Sequence, residues 1–125
     1  MILVDTSVWA QHFRREVVSL SALLEAGEVS THPFVVGELA LGNLRDRNTV
    51  LAYFRLLPQA SAAAHEEVME LVERNRLFGR GIGYVDAHLL AATALSEDTL
   101  LWTFDRELDA TAVLLGLACR VTERP

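Results

Sequence analysis

Two short apolar runs that each end in an aspartate constrain this chain more than any other feature: Ile2-Leu3-Val4-Asp5 near the start and residues 99–104 followed by Asp105 near the end. Continuous apolar runs, unlike alternating ones, mark strands buried on both faces, which is the habit of parallel sheets. The segments between them read as helices. Val8, Trp9, His12 and Phe13 follow helical spacing behind Thr6 or Ser7 as a cap, and residues 17–26 form a second helix stopped by Gly27. Pro33 suits the first turn of a helix that ends at Gly42-Asn43, and Asp46 opens another through Phe54. Residues 61–77 read as a long amphipathic helix, residues 84–95 as an almost wholly apolar one, and residues 105–115 as a last one ended by Gly116. Further strands are expected at residues 29–31, 56–58 and 118–121. Parallel neighbours need long, usually helical crossovers. The expected fold is therefore α/β, a three-layer α/β/α sandwich with a central parallel sheet of about five strands, in one domain spanning residues 1–125.

Composition narrows the class. Apolar residues make up 51% of the chain and charged residues 22%, which excludes the low-hydrophobicity signature of disorder. No uncharged run approaches the roughly 20 residues of a membrane helix, and no basic flank precedes the apolar start, so the expectation is an untargeted cytoplasmic chain that meets no membrane. Cys119 is the only cysteine, which rules out an internal disulfide and a thiolate metal cage and leaves it as a core residue. The net charge of −6 argues against a broadly basic nucleic-acid platform. It does not exclude a local patch, and bound metal ions can invert the sign of an acidic pocket.

Four carboxylates carry the chemistry. Asp5 and Asp105 stand at the carboxyl ends of apolar strands, the edge where open α/β sheets bind ligands. Glu38 has Phe34, Val35 and Leu41 at helical spacing and Asp86 has Leu89 and Leu90, which aims both acids toward the apolar interior. An unpaired buried carboxylate costs several kcal/mol or takes up a proton, so four of them need compensating charge. A divalent cation supplies it for all four together, and the scarcity of sulfur and nitrogen donors points to a hard ion, Mg²⁺ or Mn²⁺. Taken singly, each acid has a plainer role: Asp5 as a helix cap, Asp105 as a partner of a helix dipole, Glu38 and Asp86 as partners of buried arginines. Four such coincidences are required to dispense with the metal.

The set Asp5-Thr6-Ser7-Val8-Trp9, Glu38 in an apolar helix, residues 81–92 around Asp86, and Leu101-Trp102-Thr103-Phe104-Asp105 resembles the PIN domain over essentially the whole chain. The four acids fall in that family's order. The resemblance implies a ribonuclease using Mg²⁺ or Mn²⁺, a sheet with its first strand central, homodimerisation, and inhibition by a small protein encoded alongside. The compact size is similar to that of VapC-type toxins of type II toxin–antitoxin pairs, whose VapB-type antitoxin carries the DNA-binding segment, so no DNA binding is expected of this chain. On this reading Asp5, Asp86 and Asp105 hold one or two ions for hydrolysis of an RNA phosphodiester, and Glu38 orients water or a second ion. The alternative is a catalytically inactive PIN-like module that binds another protein.

Thr103, two residues before Asp105 on one side of an extended strand, is placed to orient Asp105 or a bound water. Asp109, one turn after Asp105, is an accessory candidate or a solvated early-helix acid. Thr6 reads as a cap. The four histidines share no metal-ligand spacing, and the loop Gly79-Arg80-Gly81-Ile82-Gly83 lacks the Gly-Lys-Ser/Thr ending of a phosphate loop and reads as a hinge, with Arg80 placed to touch RNA. Arg14, Arg15, Arg45, Arg47, Arg74, Arg76 and Arg106 line a phosphate path or form surface pairs. The absence of lysine excludes phosphate-receiver domains and haloacid-dehalogenase-type phosphatases, and the latter also want Asp-x-Asp where this chain has Asp5-Thr6-Ser7.

Overall fold

The computed structural model describes residues 1–120. A parallel sheet of three strands, β1 (Ile2–Val4), β2 (Val29–Ser30) and β3 (Leu100–Trp102), lies in the order β2-β1-β3 with β1 central. Register pairs Ile2 with Val29 on one side and Ile2, Leu3 and Val4 with Leu100, Leu101 and Trp102 on the other. Among the described residues seven helices surround it: α1 (Thr6–Arg14), α2 (Val18–Glu25), α3 (Pro33–Ala40), α4 (Arg47–Leu56), α5 (His65–Asn75), α6 (Tyr84–Leu95) and α7 (Arg106–Leu114). Neighbouring strand residues face opposite sides of a sheet. Leu3 and Val4, and likewise Leu101 and Trp102, are all buried. Both faces are therefore covered, as the three-layer expectation requires.

The sheet is narrower than the five strands expected, for local reasons. At one edge Thr31 bridges Gln59 through two hydrogen bonds, Thr31 N–H to the Pro58 carbonyl and Ala60 N–H to the Thr31 carbonyl, and pairing stops there. Pro58 has no N–H to extend the ladder, and Leu57 N–H is spent on the Phe54 carbonyl at the end of α4. At the other edge Leu101 bridges Ala118, with bonds to Leu117 and Cys119; the rest of the expected fifth strand, Val121, lies outside the described residues. β3 ends at Trp102 instead of Phe104 because the N–H groups of Phe104 and Asp105 are taken by the hydroxyls of Ser7 and Thr103. The helix expected from residue 61 begins only at His65: Ser61 N–H donates to Ser96 Oγ, and Ala64 N–H to the Glu67 carboxylate. His32 caps α3, with its Nδ1 accepting the Phe34 N–H at 3.0 Å.

One apolar core joins the sheet to α1, α3, α4, α6 and α7 through Leu3, Val8, Trp9, Val35, Phe54, Leu89 and Leu108. A smaller cluster, Ala63, Val68, Ala87 and Ala91, seals α5 against α6. Cys119 is a free, buried thiol, as a core residue should be. Among the described residues no helix is long and apolar enough to cross a membrane.

Candidate active site

The chain leaves β1 for β2 on one side and later returns to β3 on the other, so the strand order changes direction beside β1. In open α/β sheets that switch point opens a crevice at the carboxyl ends of the strands. Asp5 and Asp105 are the residues there, and the last rung, Asp5 N–H to the Trp102 carbonyl at 2.9 Å, holds the two strand ends together.

Asp5 is buried and fixed from several directions. It caps α1, and its Oδ2 receives the Ser7 hydroxyl at 2.7 Å, the Thr103 hydroxyl at 2.7 Å and the Ser7 N–H at 3.4 Å. Because both hydroxyl protons point at Asp5, the hydroxyl oxygens act as acceptors elsewhere: Ser7 Oγ for Phe104 N–H and Thr103 Oγ1 for Asp105 N–H, each at 3.0 Å. The two hydroxyls lie 3.2 Å apart. The ends of β1 and β3 are thus cross-linked through one carboxylate and two side chains 96 residues apart.

The remaining acids are also held locally. Asp86, third residue of α6, accepts the Gly83 N–H at 3.0 Å, which satisfies one of the helix's free amides. Asp105 caps α7 through Leu108 N–H at 2.9 Å. Glu38 accepts the Thr6 hydroxyl at 2.6 Å. The inward aim expected of Glu38 is wrong: Glu38 is exposed, and so are Phe34 and Leu41, while only Val35 and Leu39 of that helix are buried. The cap expected of Thr6 is also wrong, since Asp5 caps α1 and the Thr6 hydroxyl instead reaches Glu38 across 32 residues. Thr103 orients Asp5, and it holds Asp105 by the backbone. Asp109 faces Arg120, at 3.9 Å.

The four acids share one electrostatic neighbourhood. The Asp86 pKa is raised, first by burial and then by the charges of Asp5, Asp105 and Glu38, against the opposing bond from Gly83. Each carboxylate spends one oxygen on a neighbour, and its second, Asp5 Oδ1, Glu38 Oε2, Asp86 Oδ1 and Asp105 Oδ2, makes no hydrogen bond among the described residues. None of the four is ion-paired there. No three acidic, histidine or cysteine groups among the described residues close into a ready cluster, so the acids meet through charge and not through contact. An all-oxygen donor set with repelling charges and uncommitted oxygens suits a hard divalent cation.

Thr103→Val tests the cross-link. Valine fills the same buried volume but removes the proton given to Asp5 and the acceptor of Asp105 N–H. Cutting such support of a functional carboxylate costs about 10–100-fold in metal affinity or activity. A titration of the variant with Mn²⁺ giving the parent's affinity, together with parental turnover, would refute the role.

The chain belongs to the PIN-domain family, whose model matches residues 2–114. Among known proteins it is similar to Ribonuclease VapC32 from two strains of Mycobacterium tuberculosis, CDC 1551 / Oshkosh and ATCC 25618 / H37Rv. Each is 47% identical over 118 residues, which cover 94% of this chain and 95% of the relative.

Proposed function

We propose that this chain is a divalent-metal-dependent endoribonuclease, the toxin of a toxin–antitoxin pair, with Asp5, Asp86 and Asp105 holding one or two Mg²⁺ or Mn²⁺ ions. The observation that carries the reading is that Asp5 and Asp105 end adjacent strands at the switch point of the sheet and that their charges, with that of Glu38, reach Asp86 and help to raise its pKa. Family membership and relatives named as ribonucleases support it. A bound divalent cation supplies Lewis acidity at a phosphoryl oxygen and lowers the pKa of a coordinated water. Asp5, pinned by Ser7 and Thr103, keeps Oδ1 directed away from its own hydrogen bonds as a fixed ligand. Glu38, on the exposed rim with Thr6 holding Oε1, presents Oε2 to orient the attacking water. RNA is the substrate, a VapB-type antitoxin the partner, the dimer of two identical chains the working form, and the cytoplasm the compartment. DNA binding falls to the antitoxin. No observation favours the inactive binding module.

Two measurements test this. Purified chain with Mg²⁺ should cut a cellular RNA pool at discrete positions, and both EDTA and an Asp5→Asn/Asp86→Asn double variant should abolish the cuts. Mn²⁺ at a hundred times its Kd should stabilise the fold by about 2.7 kcal/mol, since it binds only the folded state. An unmoved Tm together with intact RNA would sink the metal site and the activity at once.

A further inference from the structure

Two grooves each carry a pair of arginines, one lined by Glu38 and the other by the first residues of α7, directly after Asp105. The first, of about 670 Å³, lies between α1, α3 and the turn before α4, and the Thr6–Glu38 hydrogen bond forms part of its wall. Arg14 and Arg45 line it beside the apolar side chains of Phe13, Leu44 and Val50. The second, of about 470 Å³, lies between the glycine loop and α7 and is lined by Arg80, Arg106 and Glu107. Gly81 lies against Glu107 of this lining: its φ of +77° favours glycine, and a Cβ there would sit 3.0 Å from Glu107 Cγ, so a side chain would have to displace Glu107.

None of these four arginines is ion-paired among the described residues, and all four are exposed. Each groove has one carboxylate, Glu38 or Glu107, against two guanidinium groups. Both are locally positive on a chain whose net charge is −6. Their positions are complementary. The first is lined by Glu38, on the helix that follows β2, and the second by Arg106 and Glu107, the two residues that follow Asp105 after β3, while β1, which ends at Asp5, lies between β2 and β3 in the sheet.

Resting on the ribonuclease reading, we propose that one RNA strand crosses the four acids from groove to groove. Its phosphates are held by Arg14 and Arg45 on the Glu38 side and by Arg80 and Arg106 on the Asp105 side. Guanidinium groups suit this task because they bind phosphate oxygens in pairs. The scissile phosphate falls over the acids because the backbone is anchored on both sides of it. The apolar wall of the first groove takes a base only when that base is unstacked, so the strand is single-stranded at the cut. A protein tail seated in one groove gives no reason for the second arginine pair.

Binding is read by fluorescence anisotropy of a labelled, mixed-sequence single-stranded RNA on the Asp86→Asn chain, across a series of NaCl concentrations. Arg14→Ala/Arg45→Ala and Arg80→Ala/Arg106→Ala should each weaken binding about tenfold. Each should also flatten the plot of log affinity against log salt by about 1.4, the loss of two phosphate contacts at roughly 0.7 apiece. Arg74→Ala, which removes an exposed arginine paired with Glu70 on α5, should leave both readings unchanged. In the active chain each double change should raise KM and also lower kcat, because each releases one of the two anchors that position the scissile phosphate. Parental slopes in either double variant overturn the two-groove path, as does tighter binding of a duplex than of the single strand. Loss of binding to polyglutamate with RNA affinity intact would assign the arginines to an acidic protein and also overturn it. If the active chain cuts no RNA while the slopes still fall, the ribonuclease reading fails and the path stands; cutting with unmoved slopes does the reverse.

Discussion

Asp86→Asn is expected to lower RNA cleavage by at least about a hundredfold, the scale of losing one group that stabilises charge in a transition state, and to raise the Tm of the chain measured without divalent ion. The two effects have one cause. Burial is the largest influence raising the Asp86 pKa from 3.8, followed by the charges of Asp5, Asp105 and Glu38. The folded state therefore holds the Asp86 proton more tightly than the unfolded chain does. As pH rises from about 3.8 through the raised folded value, the folded state gives up that proton at a cost the unfolded chain does not bear, and stability falls. Above the raised folded value the whole penalty is present. Asparagine keeps an acceptor for Gly83 N–H and carries no charge, so it removes the penalty and leaves the helix start intact. The Tm difference between variant and parent should be positive at pH 7 and shrink toward zero as pH drops below 3.8. Thermal unfolding at several pH values in EDTA checks this. A variant no more stable than the parent at pH 7 would mean that burial and the neighbouring charges do not disfavour the Asp86 carboxylate. Stability given up for function in this way is a common feature of active sites.

The parts of the site that were legible in the sequence are those fixed by position along the chain. A polar residue that ends a buried strand lies at the sheet edge whatever the rest of the chain does, and this placed Asp5 and Asp105. Asp86 was legible as an acid in an apolar helix. Glu38 was located on the correct helix but given the wrong aim, because α3 is apolar on nearly every side and its composition does not mark which face is covered; Phe34 and Leu41 are exposed with it. Thr6 and Ser7 look from local spacing like helix caps and nothing more. Their partners are 32 and 96 or more residues away, and no local spacing announces a hydrogen bond of that kind. Ser7 offered one signal, a hydroxyl two residues after an aspartate at a helix start, which is a capping pattern and not a link to another strand. The strand count failed at both edges for a similar reason. Runs around residues 57 and 118 are apolar enough for strands, but their backbone donors go to a helix end, are missing at Pro58, or pair at a single bridge. The net charge of −6 concealed the arginine grooves because a sum over the chain carries no geometry.

Trp9→Ala should be the most damaging single change to the fold, costing about 3–5 kcal/mol, the usual range for removing a buried tryptophan. Trp9 is 1% exposed, stacks on Phe13 with ring centres 5.9 Å apart, and receives Phe54 of α4 edge-on at 4.7 Å. Its Nε1 has no hydrogen-bond partner among the described residues, so the stabilisation is apolar and aromatic. Trp9→Phe should therefore cost much less than Trp9→Ala, since it keeps a ring and gives up no hydrogen bond. The consequence reaches the active site because α1 begins with Asp5 as cap, Thr6 and Ser7, and Trp9 N–H donates to the Asp5 carbonyl at 3.3 Å. A helix no longer seated on Phe54 leaves Ser7 free to drift from Phe104 N–H and Thr6 from Glu38. Urea midpoints and RNA-cleavage rates of the three chains, measured where each remains folded, separate the two roles. The alanine variant should lose midpoint and rate together and the phenylalanine variant should keep most of both. A parental midpoint in the alanine variant would mean that the sheet alone, and not the aromatic seat of α1, holds the catalytic carboxylates in place.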